Sequence, residues 1–335
     1  MTRAILSCSP HFTSLALNEL KRPHAHLSIL DQLTPGHFLV QVPYSFDKLT
    51  QPWRRQLPIY LHHLFPVHAV LALDGTLDDL PLLKQAVSEI MPDDAQLQVR
   101  LGDELPLPYS TSDIQRTISG DCGPVAGQAP TGRVVSLLVV QEAAGLRAYA
   151  GISWATQNLS PWPGGHLPIR EVVANRAGYK LLEALDVFGI RLRGGEQALD
   201  LGAAPGAWTT ILRRRGLGVT TVAPAPLYPW LVHDAGVKHF ALRAEDYLNG
   251  CQTTFDLIVN DMKLDVQDSA RLMVAYARHL RAEGLALMTF KLRERNPQRA
   301  MDHGLRLLRK AYKIIRIRQL VHNRNEVTLF LRRKG

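Results

Sequence analysis

The sequence predicts an α/β protein of two domains: a doubly wound parallel sheet ending in one reversed strand, preceded by an α+β domain. Three observations carry this. The 335 residues exceed one typical domain. From residue 175 onward, apolar strand-like runs alternate with amphipathic stretches, as in a mostly parallel sheet with helices on both faces. The last two runs, "KIIRIRQLV" and "EVTLFLRR", are joined only by a tight "HNRN" turn, so they must pair antiparallel.

In the first 155 residues, "AILSCS", "HFLVQVP", "HAVLAL", "AQLQVRL", "VVSLLVV" and "LRAYAGIS" read as strands. "FTSLALNELKR" and "LDDLPLLKQAVSEIM" have the three-and-four spacing of helices, and "DIQRTISG" adds a short one. Antiparallel pairing is expected there. Residues 156–174, rich in Pro and Gly at "SPWPGGHLP", form the expected linker. In 175–335, "NRAGYKLLEALDVFGI" is a helix with Leu181, Leu182, Leu185 and Phe188 on one face. Strand "ALDLG", helix "AWTTILRRRG" and strands "VTTVA", "HFALRA" and "DLIVNDM" follow. Helix "SARLMVAYARHLRAEG", strand "LALMTFKL" and helix "AMDHGLRLLRKAY" lead to the final pair. A ligand is expected along the carboxyl edge of the parallel strands.

No run approaches the ~18 uninterrupted apolar residues of a membrane span. "MTRAILSCSPHF" has no long apolar core with a cleavage site, so a cytoplasmic protein is expected. Cys8, Cys122 and Cys251 lack metal-ligand spacing and fit a reducing compartment, with neither disulfides nor zinc. Charge is uneven. Residues 1–150 hold 11 Lys and Arg against 14 Asp and Glu, whereas residues 291–335 hold 14 against 3. Two readings of this basic block are open: a solvated surface, or a contact with a polyanion whose counterions it releases.

In "DLGAAPGAW", Gly202 and Gly206 permit a tight turn whose backbone can approach a ligand, and the amides of the following helix then face it. A dinucleotide turn wants G-x-G-x-x-G, and a P-loop wants its Lys-Ser/Thr pair. Neither is present. Asp200 before the turn suits an amine or sulfonium better than a phosphate-rich ligand.

"DLGAAPGAWT" followed by "VNDM" and "FKL" resembles the FtsJ-like ribose 2'-O-methyltransferases. "NRAGYKLLEALDVF" and "RQLVHNRNEVTLFLRR" resemble their bacterial 23S rRNA cytidine 2'-O-methyltransferase subgroup, the RlmM type. The resemblance covers residues 156–335 closely and the N-terminal part more weakly. There it implies a ferredoxin-like segment and an RNA-binding THUMP domain, the latter containing "YSTSDIQRTISG", "VVSLLVV" and "AYAGIS". It further implies a Rossmann-like methyltransferase sheet, S-adenosyl-L-methionine as cofactor, RNA as partner and a Lys-Asp-Lys-Glu tetrad, here Lys180, Asp261, Lys291 and Glu326.

The topology supports that tetrad. Asp261 and Lys291 end the fourth and fifth core strands. Glu326 starts the reversed strand, so its amino end lies beside Lys291 if the two strands are neighbours. Lys180 lies on the helix before the first strand. A ribose 2'-hydroxyl must lose its proton as it attacks. Lys291 is the expected base, its pKa lowered by burial and a second cation, with Asp261 orienting it and Lys180 and Glu326 positioning the ribose. Plainer roles stay open: Asp261 as a cap, Lys180 as a surface lysine, Lys291 as a phosphate contact, and Glu326 as a partner of Arg324 or Arg332. Arg176 and His322 are equally open as RNA contacts or structural groups.

The resemblance assigns the cofactor turn to Asp200, Gly202, Ala203, Pro205, Gly206, Ala207 and Trp208, with Asp246 near the adenine and Asp261 adjoining. Two departures stand out. Ala207 replaces a glycine, and Ala223 ends the second strand where the family places a ribose-binding acid. Losing that acceptor costs about 1–3 kcal/mol if a hydroxyl pair goes unmet. Ribose methylation therefore stands beside a second reading, an RNA-binding assembly factor on a weakened methyltransferase fold. Base methylation fits less well: "NDMKLD" replaces the (Asp/Asn)-Pro-Pro-aromatic motif, and no Pro-Cys nucleophile occurs. Arg316, Arg318, Arg324, Arg332 and Arg333 are expected to hold phosphates near the site.

Overall fold

A computed structural model describes residues 1–120, 129–169, 171–293 and 296–335; Cys122 lies outside them. The chain divides into two compact units, Met1–Pro168 and Ile169–Gly335, a boundary inside the Pro/Gly-rich stretch.

The first unit contains β1 (Thr2–Cys8), α1 (Thr13–Lys21), β2 (Ser28–Thr34), β3 (His37–Val42), α2 (Phe46–Thr50), β4 (Leu61–Pro66), β5 (Ala69–Leu73), α3 (Asp79–Ser88), β6 (Gln96–Leu101), α4 (Thr111–Ser119), β7 (Arg133–Glu142) and β8 (Gly145–Trp154). They form two four-stranded sheets, β2-β3-β1-β4 and β5-β8-β7-β6. Two strands depart from the sequence expectation. β2 is a largely exposed edge, and His62 and His63 interrupt the apolar pattern of β4 although both are buried. β6 and β7 pair parallel, not antiparallel. Their 31-residue connection carries α4, long enough for a same-direction return. Ser110 and Asp113 fix the start of α4 through a reciprocal capping box.

The second unit continues with α5 (Arg176–Val187), β9 (Gln197–Leu201), α6 (Ala207–Arg214), β10 (Gly218–Val222), α7 (Pro229–Val232), β11 (Val237–Phe240), α8 (Ala244–Gly250), β12 (Phe255–Asn260), α9 (Val266–Tyr276), β13 (Leu280–Lys291), α10 (Pro297–Leu308), β14 (Tyr312–Arg318) and β15 (Glu326–Arg333). The sheet order is β11-β10-β9-β12-β13-β15-β14, with β15 alone antiparallel to its neighbours. This is a Rossmann-like sheet with one reversed strand. β11 starts and ends earlier than "HFALRA" suggests, because the Leu242 amide turns back onto the Phe240 carbonyl and Ala244 already opens α8.

Period-two alternation sends successive side chains to opposite faces of this sheet. Ala198, Val219, Leu257, Val259, Leu287 and Phe330 meet Leu181, Leu185, Trp208, Ile211 and Leu212 of α5 and α6. The alternate residues Leu199, Ile258, Met288, Phe290 and Leu329 are equally buried, so both faces are covered. On the Phe290 face α9 and α10 pack closely: a Cβ at Gly304 would lie 2.5 Å from Val266 and 2.8 Å from Phe290.

Candidate active site

The carboxyl edge of the parallel strands gathers the turn after β9, the turn after β12, the end of β13 and the start of β15. In register, Lys291 faces Glu326 directly, and Asn260 ends level with Leu201. β-sheet pairing alone thus brings Asp261, Lys291 and Glu326 beside the glycine turn.

Asn260 shapes the turn that presents Asp261, its buried side chain accepting from the Met262 amide at 2.9 Å. Asp261 Oδ2 then lies 3.1 Å from Lys180 Nζ, and its Oδ1 accepts from Thr289 Oγ1 at 2.7 Å and from Lys291 Nζ. Glu326 Oε1 lies 2.5 Å from Lys180 Nζ, while Oε2 accepts from Lys291 Nζ. Each lysine touches both carboxylates, so the four side chains close a ring of alternating charge. Their exposures are 13, 17, 8 and 7% for Lys180, Asp261, Lys291 and Glu326. The plainer roles are set aside: Asp261 does more than cap, Lys180 is not a free surface lysine, and Glu326 pairs with lysines rather than Arg324 or Arg332.

Burial pushes the Asp261 carboxyl up, but Lys291 and Lys180 beside it outweigh this and hold it below the usual carboxylate range. Burial would likewise lower Lys180, yet Asp261 and Glu326 raise it above its ordinary value. Lys180 is thereby held as a cation. Two carboxylates face it at close range.

Gly202, at φ +75°, lies so close to Met262 that a Cβ would come within 2.4 Å of Met262 Cγ. Gly206, at φ +115°, caps α6 in the left-handed region, and a Cβ there would meet Leu231 at 2.2 Å. Within this turn the Pro205 carbonyl accepts from the Tyr228 amide at 2.8 Å. Two expected contacts are engaged elsewhere. Asp200, 2% exposed, accepts from Thr209 Oγ1 at 2.7 Å. Burial raises its carboxyl to about 7, the Thr209 hydroxyl opposing this and the Asp261 charge adding to it. The Trp208 indole donates to the Ala177 carbonyl at 2.7 Å and packs in the core. Ala223 is buried and its amide bonds to the Phe240 carbonyl. The loop 223–228 contains no acid to replace the one it lacks. Asp246 is exposed in the first turn of α8.

Three neighbours carry no motif. Thr289 lies two residues before Lys291 on the same face of β13, the signal that could have revealed it. Glu183, one turn beyond Lys180 and 1% exposed, accepts from the amides of Val321 and His322 at 2.8 and 2.9 Å and from His322 Nδ1 at 2.8 Å. Tyr179 stacks on His322 with ring centres 5.3 Å apart, and Arg176 donates to the His322 carbonyl at 3.4 Å. Helix α5 therefore holds the loop that delivers Glu326, and His322 is a structural group here. Lys263 and Arg293 complete a cleft of about 540 Å³ with Arg176, Lys180, Lys291, Arg324 and Glu326.

The basic block is not concentrated at the site. Arg332 pairs with Leu285, six residues from the Lys291–Glu326 rung and so about 20 Å away at the opposite edge. Arg333 donates to the Leu280 carbonyl there, Arg318 is 5% exposed, and Arg316 donates to the Ile315 carbonyl. Of the five arginines expected at the site, only Arg324 lines the cleft.

In sequence, residues 173–301, which carry the glycine cradle and three members of the charged ring, match the model of the FtsJ-like methyltransferase family. The chain is 37% identical over 177 residues to the ribosomal RNA large subunit methyltransferase M of Halorhodospira halophila, covering 51% of each chain. It is 32% identical over 185 residues to the protein of that name from Azoarcus sp., covering 51% of this chain and 50% of that one. Against the Methylococcus capsulatus protein it is 33% identical over 199 residues, covering 55% and 54%. The chain spans about half the length of these curated relatives. No helix among the described residues is long and apolar enough to cross a membrane.

Proposed function

We propose that this protein transfers a methyl group from S-adenosyl-L-methionine to a ribose 2'-hydroxyl of RNA. The observation that carries the reading is the Lys180–Asp261–Lys291–Glu326 ring beside the glycine cradle. The cofactor would supply an electrophilic methyl group, held against the backbone of Gly202 to Ala207. Lys180 stays a cation between two carboxylates and holds the ribose through its ammonium. Lys291 takes the hydroxyl proton. A hydroxyl that enters the ring and displaces one carboxylate comes within hydrogen-bond reach of this amine. Asp261, anchored by Thr289, keeps its direction. Alignment of the two reactants supplies much of the rate.

The relatives' names support large-subunit rRNA as the substrate, and the sequence resemblance supports a cytidine of 23S rRNA. A second reading, an rRNA-binding assembly factor with weakened catalysis, is favoured by Ala223. Methyl transfer from labelled S-adenosylmethionine to rRNA from cells lacking this protein, followed by nucleoside analysis, separates the two. A labelled 2'-O-methylnucleoside is expected. Label on a base would sink the ribose assignment, and no transfer by folded protein would leave the assembly role.

A further inference from the structure

Each member of the ring has a cation close by in the chain. Lys263 lies two residues beyond Asp261, in the turn after β12; Arg293 lies two residues beyond Lys291, past the end of β13; and Arg324 lies two residues before Glu326, in the loop leading into β15. On α5, Arg176 lies four residues before Lys180, a spacing that stacks side chains on one helical face. All four cations are exposed and line the one cleft that also contains Lys180, Lys291 and Glu326. Within the ring, two ammonium groups balance two carboxylates. Among the described residues, none of the outer four is paired with a carboxylate, and the ring they surround is neutral.

We infer that Arg176, Lys263, Arg293 and Arg324 form a phosphate-binding rim that grips the RNA backbone on both sides of the ribose in the ring. The inference rests on the methyl-transfer reading and narrows its substrate to an internal nucleotide of a single-stranded polyribonucleotide. A lone nucleoside would leave the rim unused. Lys263 and Arg293 lie just beyond the carboxyl ends of the adjacent strands β12 and β13. Arg176 and Arg324 belong to α5 and the loop it holds, where Arg176 meets the His322 carbonyl. The two pairs provide for one flanking phosphate each.

The test is fluorescence anisotropy of a labelled cytidine 12-mer between 50 and 200 mM salt. Each phosphate neutralised on a single strand adds about 0.7 to the salt slope, about 2.6-fold in affinity over that range. R176A/R324A and K263A/R293A should each lower the slope by about 0.7, and the quadruple variant by about 1.4. Charge-keeping R293K and R324K should retain it, as should R332A/R333A on the opposite edge. An unchanged slope in the quadruple variant, or an equal loss in R332A/R333A, overturns the rim. Nucleoside analysis on the same proteins keeps the two ideas apart. A lowered slope without ribose methylation by the unmodified protein would sink the methyl-transfer reading alone, and methylation with an unchanged slope would sink the rim alone.

Discussion

Asp200 offers a direct thermodynamic test of the glycine turn, through the substitution Asp200→Asn. The carboxyl is buried, donates nothing when ionised, and receives the Thr209 hydroxyl at 2.7 Å. Burial lifts it to about 7 from an ordinary 3.8. At 1.36 kcal/mol per unit, roughly three units correspond to about 4 kcal/mol at most. The sign follows from the raised value. Between pH 4 and 7 the folded chain keeps a proton that the unfolded chain has lost. This stabilisation is complete below about pH 4, declines as pH rises, and is gone above about 8. Asparagine carries no such proton, and its carbonyl can still accept from Thr209. Hydrogen exchange at the β9 amides, converted to opening free energies, reads the comparison without assuming that both units unfold together. The difference between the natural protein and the variant should fall by about 2.3 kcal/mol from pH 5 to 7, at up to 1.36 kcal/mol per unit, and level off above about pH 8. A difference that stayed constant, or grew with pH, would refute the buried, proton-holding carboxyl.

Three further outcomes are expected. Lys291→Ala should lower methyl transfer by about 10²–10⁴-fold, the usual contribution of a positioned base, with circular dichroism showing an intact fold; activity within tenfold would remove Lys291 from that role. Ala223→Asp should tighten S-adenosylmethionine binding by about 5- to 150-fold, the equivalent of 1–3 kcal/mol for a restored acceptor, as calorimetry would measure; unchanged affinity would show that another group already serves. Glu183→Ala strands the Val321 and His322 amides and should cost about 1–3 kcal/mol for each buried donor left unmet, read by urea unfolding, while Glu183→Gln should recover part of the loss. Equal stability in the two variants would argue against the clamp.

Much of this architecture was legible in advance because the relevant signals are local. The alternation from β9 to β15 and the short link before β15 fixed the sheet and its reversed strand. The sheet, in turn, fixed where Asp261, Lys291 and Glu326 meet. Less was legible where a side chain's partner is distant in sequence. Nothing in "GAW" shows that Trp208 turns its indole to Ala177, and nothing in "ALDLG" shows that Asp200 serves Thr209. A glutamate in an amphipathic helix ordinarily reads as solvent-facing, so Glu183 needed the loop at 320–325 to reveal its use. Composition misplaced the basic block for a related reason. Counting arginines ignores that β15 runs the full height of the sheet, carrying Arg332 and Arg333 away from the cleft as it leaves Glu326 beside it. β6 and β7 show the same limit, since direction depends on a crossover that strand pattern does not report.

The position of β15 also sets an order of assembly. Among the described strands β14 pairs with β15 alone, and β15 must insert between β13 and β14 although it is synthesised after both. Glu326, its first residue, closes a ring whose earliest member, Lys180, left the ribosome 146 residues before. Contacts that distant form late, because the chain must pay for closing a long loop before they reward it. A nascent chain therefore holds Asp261 and Lys291 without the carboxylate that completes their balance. Competence arrives in one step, with the last strand, and no partly made molecule carries a finished site.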